Sequence, residues 1–338
     1  MTKTTHLLVA NPTAQSGKNA ARIDAARALL DERGLAHELV STQPAGGTVA
    51  VVKDALDGGG YHTAIYMGGD GTFAEVAKGI LASRRAGEVR LGMLPTGTAN
   101  DQGKSFGLSS EESALPRNVD VIAAGQETRL DVGRLRALDE SGALVREDQF
   151  FDSAGWGISP RVLQLRNEDR RAIAEIPLVR EVYRDQLVYA GALLRTFLES
   201  YLEDDKFDVR LTADGQTLEW QGLSDLIIKG TRIYGGMWIF DERARHDDGL
   251  FEVVPFTGKR DWISKAIVHL RGSGLSPEGL AKIGVTHSEG VAASHIELEL
   301  RPHSGGLPLV AQLDGEELVA SPRAIIDVLP RALRLIVP

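Results

Sequence analysis

Gly68-Gly69-Asp70-Gly71-Thr72 joins a short apolar run, Thr63-Ala64-Ile65-Tyr66, to a stretch with helical spacing at Phe73, Val76, Ala77, Ile80 and Leu81. Strand, glycine-rich turn and helix together present backbone N–H groups and a helix N-terminus to one point, an arrangement that holds phosphate. Asp70 complicates a plain phosphate nest. A carboxylate repels a polyphosphate, so its presence calls for a divalent cation or for a hydroxyl waiting to lose its proton.

Other turns carry chemistry of similar kind. Asn11-Pro12-Thr13-Ala14-Gln15-Ser16-Gly17-Lys18 fails as a P-loop, because position 12 is Pro12 where glycine is required and Asn19 replaces the serine or threonine. Gly69 to Ala74 fits the loose dinucleotide pattern. The next strand, however, ends Met93-Leu94-Pro95-Thr96 with no acid to hold a ribose, which weakens that reading. Pro95-Thr96-Gly97-Thr98-Ala99-Asn100-Asp101 concentrates N-capping residue types ahead of a helix-like segment. Asp248-Gly249 and Asp314-Gly315 read singly as hairpin turns; the first, after Arg245, also offers a carboxylate and turn carbonyls to a cation.

These turns need elements to position them. His6–Ala10, His37–Val40, Thr63–Tyr66 and Arg90–Leu94 read as strands alternating with helices, which predicts a mainly parallel sheet whose carboxyl ends carry the polar turns. After about Gly125 the texture changes to short alternating runs, among them Leu130–Gly133, Phe207–Leu211, Leu226–Ile228, Leu250–Val254 and Ile296–Leu300, which predict an antiparallel sandwich. The expected division is an α/β domain over residues 1–126 and a β-sandwich domain over 127–320 with a helical insertion at about 159–203. The closing segment 321–338 either finishes the sandwich or returns to the first domain. A cleft is expected where the two halves meet.

The 338 residues carry 43% hydrophobic and 25% charged side chains, a globular balance, and the net charge of -9 argues against a nucleic-acid partner. No cysteine is present, which removes thiolate metal sites and cysteine nucleophiles and fits a reducing compartment. The only apolar stretch near the start, His6–Ala10, is too short for a signal-peptide core, and no run approaches transmembrane length. A cytoplasmic protein is expected, with peripheral contact to the inner face of the membrane allowed for. The oligomeric state, a dimer included, is not readable.

The motifs, taken in order, resemble the diacylglycerol kinase catalytic-domain family, specifically its soluble bacterial lipid kinases, which are similar to sphingosine kinases and more distantly to NAD kinases. The resemblance rests on Asn11-Pro12 with Ser16-Gly17, Gly68 to Thr72, Pro95 to Asp101, Asp131-Val132-Gly133, Gly155-Trp156-Gly157, Gly235-Gly236, Asp248-Gly249 and Asp314-Gly315-Glu316. It implies a lipid kinase that uses ATP and Mg2+ and meets its lipid substrate at a membrane surface. Asn11, Thr42, Gly68, Gly69, Asp70, Gly71, Thr72, Glu75, Thr98, Asn100 and Asp101 would line the nucleotide site. Glu316, with Asp314 beside it, is the implied proton acceptor, and Asp70 is its rival. A separate magnesium site would fall at Arg245, Asp248 and Leu250, with main-chain oxygen from Arg245 and Leu250. Met237 to Asp241 is bulkier than the family's stretch after the paired glycines.

The resemblance leaves the acceptor open among diacylglycerol, sphingoid or ceramide lipids and phosphatidylglycerol. A catalytically silent nucleotide-binding protein of the same fold, and a soluble-substrate kinase of the NAD-kinase type, are the competing expectations. Between Pro160 and Tyr201 apolar residues alternate with Arg166, Arg170, Arg171, Arg180 and Arg184, but Glu168, Asp169, Glu175, Glu181 and Asp185 favour a solvated helix face over a membrane-binding one.

Overall fold

A computed structural model of the chain describes residues 5–12, 18–97, 100–161, 163, 206–234, 239, 244–258, 261, 290–303 and 309–338. Most of the expected 159–203 insertion lies outside these residues. The first half runs β1 (Thr5–Ala10), α1 (Lys18–Glu32), β2 (His37–Ser41), α2 (Gly47–Asp57), β3 (Tyr61–Gly68), α3 (Asp70–Ala82), β4 (Arg90–Pro95), α4 (Asp101–Ser105) and α5 (Leu115–Ala124). The strands stand in the order β2-β1-β3-β4, all parallel. The near-continuous burial of β1, β3 and β4 follows from helices on both faces, while β2 at the edge is partly exposed. Leu7 and Val9 point towards α2 and α3, packing with Val52, Leu56, Val76 and Ile80. Leu8 and Ala10 point the other way, into a core with Ile23, Leu30, Val119 and Ile122 of α1 and α5.

The second half contributes β5 (Glu127–Leu138), β6 (Leu144–Phe150), β7 (Ser153–Gly157), β8 (Phe207–Ala213), β9 (Gln216–Leu223), β10 (Asp225–Lys229), β11 (Phe251–Phe256), β12 (Val291–Ala293), β13 (His295–Pro302), β14 (Ala311–Leu313), β15 (Glu316–Leu318) and β16 (Arg323–Ile336). Six of them form an antiparallel sheet in the order β12-β11-β10-β7-β14-β15. Its inner face meets β5, β6, β8, β13 and β16 around Leu135, Phe150, Trp156, Phe207, Leu226, Phe251, Ile296 and Ile326. The architecture is thus an α/β domain with a parallel sheet, followed by a mostly antiparallel β-sandwich.

The closing strand serves both halves. The first part of β16 lies antiparallel between β13 and β5; after an irregularity between Leu329 and Leu333, Arg334 and Leu335 run parallel to Arg90 and Leu91 of β4. One ten-stranded sheet therefore extends from the first half into the second. At the irregularity Arg331 adopts φ 53° and its N–H donates to the buried carboxylate of Asp131 at 2.6 Å. Among the described residues, no helix is long and apolar enough to cross a membrane.

The α2–α3 contact that seats the phosphate-loop helix depends on Gly79. A Cβ there would lie 2.7 Å from the Val52 Cβ and 3.0 Å from the Val49 carbonyl oxygen, which cannot swing away. Alanine in a helix interior ordinarily stabilises by about 1 kcal/mol relative to glycine. Overpacking costs about 1–3 kcal/mol and wins at this position, so Gly79→Ala is expected to lower the urea midpoint. A midpoint at or above that of the unmodified chain would overturn this account.

Candidate active site

Two turns cross at the carboxyl edge of the parallel sheet. Gly68 carbonyl oxygen accepts the N–H of Thr96 at 2.7 Å and of Gly97 at 3.2 Å. A Cβ on Gly97 would stand 2.6 Å from the Gly69 Cα, so the crossing requires glycine. Asn100 holds the second turn: its Oδ1 accepts the Gly97 N–H at 3.0 Å, and its Nδ2 donates to the Gly97 carbonyl. The N-capping reading of Asn100 is thereby corrected. It occupies the N-cap of α4 at φ 51° but makes no side-chain cap, because its amide faces back across the turn.

Gly69 is the N-cap of α3 and, lacking a side chain, leaves the first-turn N–H groups without a side-chain acceptor. These donors, with Gly71 and Thr72 behind them, form the surface suited to phosphate. Asp70 opens the helix and its Oδ1 accepts the Gln102 N–H at 3.4 Å. Burial pushes its carboxyl pKa up and nearby Asp152 adds to the effect, opposed by N–H groups of Gln102 and Asn100. Asn11 and Thr42 lie just beyond β1 and β2 on the same edge, Thr42 donating its N–H to the Ala10 carbonyl at 3.0 Å. Glu75 sits one turn along α3 from Gly71. Thr98 lies outside the described residues.

The helix is anchored by aromatic rings. Phe73 packs edge-on against Tyr66 at 5.4 Å and against Phe151, from the second half, at 5.6 Å. The segment carrying Phe151 is in turn gripped by Asp314. That carboxylate accepts the N–H groups of Phe151 at 2.9 Å, Asp152 at 2.7 Å and Ser153 at 3.1 Å. Asp314 and Gly315, at φ 49° and 78°, make the two-residue turn between β14 and β15.

Two residues on, Glu316 is exposed and its Oε1 lies 3.4 Å from where a Gly71 Cβ would be. Asp314 thus acts as a positioning group, while Glu316 is the carboxylate that reaches the phosphate loop. Beside them opens a small cleft walled by Gly71, Ala74 and Lys78 of α3, Arg146 and Asp148 of β6, and the Leu313–Leu318 hairpin. Asp148 pairs with both Lys78 at 2.7 Å and Arg146 at 2.6 Å.

Near this surface lies a charged cluster of which the motif reading includes only Asp101. Asp152 and Lys229 are 5% and 2% exposed, and Asp101 and Glu252 are likewise buried. Thr231 donates its hydroxyl to Asp152. Lys229 Nζ has no hydrogen-bond partner among the described residues and lies 5.7 Å from the Tyr234 ring centroid. Burial pushes Asp152 up and Lys229 down, and the charges of Asp152, Asp101 and Glu252 hold Lys229 against that push. Asp152 follows the Phe150-Phe151 pair and Lys229 closes β10, apolar runs where local pattern reads only core.

The expected magnesium loop folds against Asp131. Gly249 donates its N–H to Asp131 at 2.6 Å, Asp248 Oδ1 accepts the Leu250 N–H at 3.1 Å, and Arg245 turns its guanidinium to Asp247 at 3.0 Å. Asp131 is pushed up chiefly by burial and also by Asp248 and Asp247, so the loop gathers negative charge. Its donors suit Mg2+ in kind, being hard oxygen. No cluster of three or more potential His, Cys, Asp or Glu ligands occurs among the described residues, so any such site would draw on main-chain oxygen.

Residues 5–135 match the diacylglycerol kinase catalytic domain. The resemblance to that family holds. The match covers the phosphate loop, both crossing turns and β5 up to Leu135. Beyond it, the chain is 29% identical over 325 residues to a Pseudomonas aeruginosa protein named "Probable lipid kinase YegS-like", covering 95% of this chain and 92% of the relative. It is 27% identical over 312 residues to the lipid kinase YegS of Escherichia coli K12, covering 92% and 89%. In three dimensions it is similar to a Bacillus anthracis diacylglycerol kinase, with TM-score 0.68 and 17% identity over 99% of this chain and 97% of the other. Yeast NADH kinase has TM-score 0.51 at 8% identity, covering 100% and 84%. At these identities the structural likenesses establish the diacylglycerol kinase and NAD kinase type of fold.

Burial pushes the Asp314 carboxyl from 3.8 up to about 7, outweighing its three N–H donors, with Asp152 adding to the rise. Between these values the folded chain binds a proton that the unfolded chain has lost. Stability from this group is therefore complete below about pH 3.8 and is lost as pH rises towards 7. The melting temperature should fall across that window, and Asp314→Asn, which keeps an acceptor oxygen for the same N–H groups, should flatten the fall. Thermal unfolding at stepped pH checks this, and parallel profiles for the two proteins would overturn it.

Proposed function

We propose that this protein is an ATP-dependent lipid kinase that transfers the γ-phosphate of ATP to a hydroxyl of a lipid such as diacylglycerol. The observation that carries the reading is Glu316 poised over Gly71: a solvent-accessible carboxylate from the second half faces the first turn of the phosphate-loop helix. The lipid-kinase names of relatives that span nearly the whole chain support the acceptor class. Phosphoryl transfer demands positioning and charge neutralisation above all, which the crossed turns and the α3 N-terminus provide.

In this mechanism the N–H groups of Gly69 to Thr72 cradle the phosphates. Glu316 accepts the acceptor hydroxyl's proton as its oxygen attacks the γ-phosphorus in line, and ADP departs along the β–γ bridging oxygen. Asp70 and Asp101 would hold Mg2+ against the phosphates, where the ion neutralises charge that builds on the transferring group. Asp70 is the weaker candidate for the base, because it is partly buried and bonded to the Gln102 N–H. The Asp248 loop lies at Asp131, away from the phosphate turns in sequence, and is assigned a structural role. The working place is the cytoplasmic face of the membrane.

Transfer of radiolabelled phosphate from ATP to a lipid panel is the direct test, and no labelled lipid of any class would sink the proposal. Glu316→Gln should lower kcat by about 10²- to 10⁴-fold while calorimetric ATP binding stays unchanged. If Glu316→Gln kept near-normal turnover and Asp70→Asn abolished it with ATP still bound, the base would be Asp70.

A further inference from the structure

Among the described residues only three large hydrophobic side chains are exposed: Leu144 at 58%, Val145 at 58% and Val319 at 79%. Leu144 and Val145 are adjacent in β6, and Val319 follows 174 residues later. Leu144 opposes Leu138, which in turn opposes Arg323 at the start of β16, and Val319 lies in the short link leading into that strand. The immediate neighbours of Val145 and Val319, Arg146 and Leu318, both line the cleft that contains Glu316. The three exposed apolar residues therefore flank, along the chain, the residues that line the cleft.

The geometry is held firmly outward. Asp139 Oδ1 accepts the N–H groups of Ser141 and Ala143 and the Ser141 hydroxyl, a closed turn that sets the tip from which Leu144 emerges. Among the described residues β6 pairs only with β5, and its register slips between the Ala137–Arg146 and Leu138–Leu144 pairs, leaving Val145 as the extra residue. Such a bulge on an edge strand discourages pairing with another sheet edge. Three partly exposed Leu and Val side chains offer roughly 300 Å², well below the roughly 800 Å² per partner of a stable dimer. A bilayer asks for no such area, only for side chains that can enter the headgroup and acyl boundary.

We propose that Leu144, Val145 and Val319 form a docking rim that enters the lipid leaflet and sets the Glu316 cleft against it, so that the acceptor hydroxyl is taken directly from the membrane surface. This rests on the lipid-kinase reading for its purpose but not for its test. The basic residues at the rim already have acidic partners, Arg146 with Asp148 at 2.6 Å and Arg323 with Glu299 at 3.4 Å. Docking is accordingly apolar in character and nearly independent of lipid charge and salt.

The chain has no cysteine, so a single introduced thiol can be labelled at one site. Leu144→Cys and Val319→Cys, each carrying an environment-sensitive fluorophore, should brighten and shift to the blue on adding phosphatidylcholine vesicles. Adding phosphatidylglycerol or salt should change this little. Gln216→Cys, exposed on β9 at the opposite edge of the sheet, should not respond. In the transfer assay, Leu144→Glu with Val145→Glu should reduce phosphorylation of vesicle-borne acceptor about tenfold and leave a short-chain soluble acceptor within about twofold. Silent probes at both rim positions on every vesicle overturn the proposal, as does a concentration-dependent probe change without vesicles, which would make the rim a contact between copies. If the unmodified chain phosphorylates nothing while the rim probes respond, the kinase reading fails and the docking rim stands.

Discussion

The grip of the Asp314 carboxylate on the backbone of residues 151–153 is the contact on which the site's geometry depends. It works in two directions at once. Through Phe151 it fixes a ring against Phe73, and hence the tilt of the helix that carries the phosphate loop. Through the turn that Asp314 itself occupies, it fixes Glu316 two residues further on, over Gly71. The spacing between the N-terminus of α3 and the Glu316 carboxylate is therefore set by one group of hydrogen bonds. Reach within hydrogen-bonding distance is the first requirement of a general base.

The same logic explains why the two halves share a sheet. A cleft between independently mobile domains would have a variable mouth, and transfer geometry tolerates little variation. Here β16 continues from the sandwich into a parallel pairing with β4, the strand whose end carries the second crossing turn. Asp131 stitches the irregular point by accepting N–H groups from Arg331 and Gly249, so the kink in β16 and the Asp248 loop are tied to one buried carboxylate. Ser105 of α4 adds a further link by accepting the Ile233 N–H at 3.3 Å.

What could be read from the sequence followed how local the determining physics is. The parallel strands announce themselves by continuous apolar runs, and the turn residues 68–72 and 95–101 by their glycines, because both depend on neighbours in the chain. The hydrogen-bond partner of Asn100 is not local in this way: residue type favours a cap, while the observed partner, Gly97, is selected by the crossing with Gly69. Asp314 looked like a companion to Glu316, and only the position of residues 151–153, more than 160 residues earlier, shows that its oxygens are already engaged. Asp152 and Lys229 were invisible, since a charged residue ending an apolar strand gives no local sign of being buried.

That buried cluster bears on how two acids of one site divide their tasks. Asp70 lies where water is largely excluded and where Asp152 adds negative charge, so its ionised form is disfavoured until a cation joins it. Lys229 meets part of this demand from below, drawing on Asp152, Asp101 and Glu252 together. Glu316 stands at the exposed mouth, where its carboxylate stays solvated. A buried acid crowded by negative charge and a solvent-exposed acid are suited to different work. Their environments, more than their chemical type, set the two acids apart.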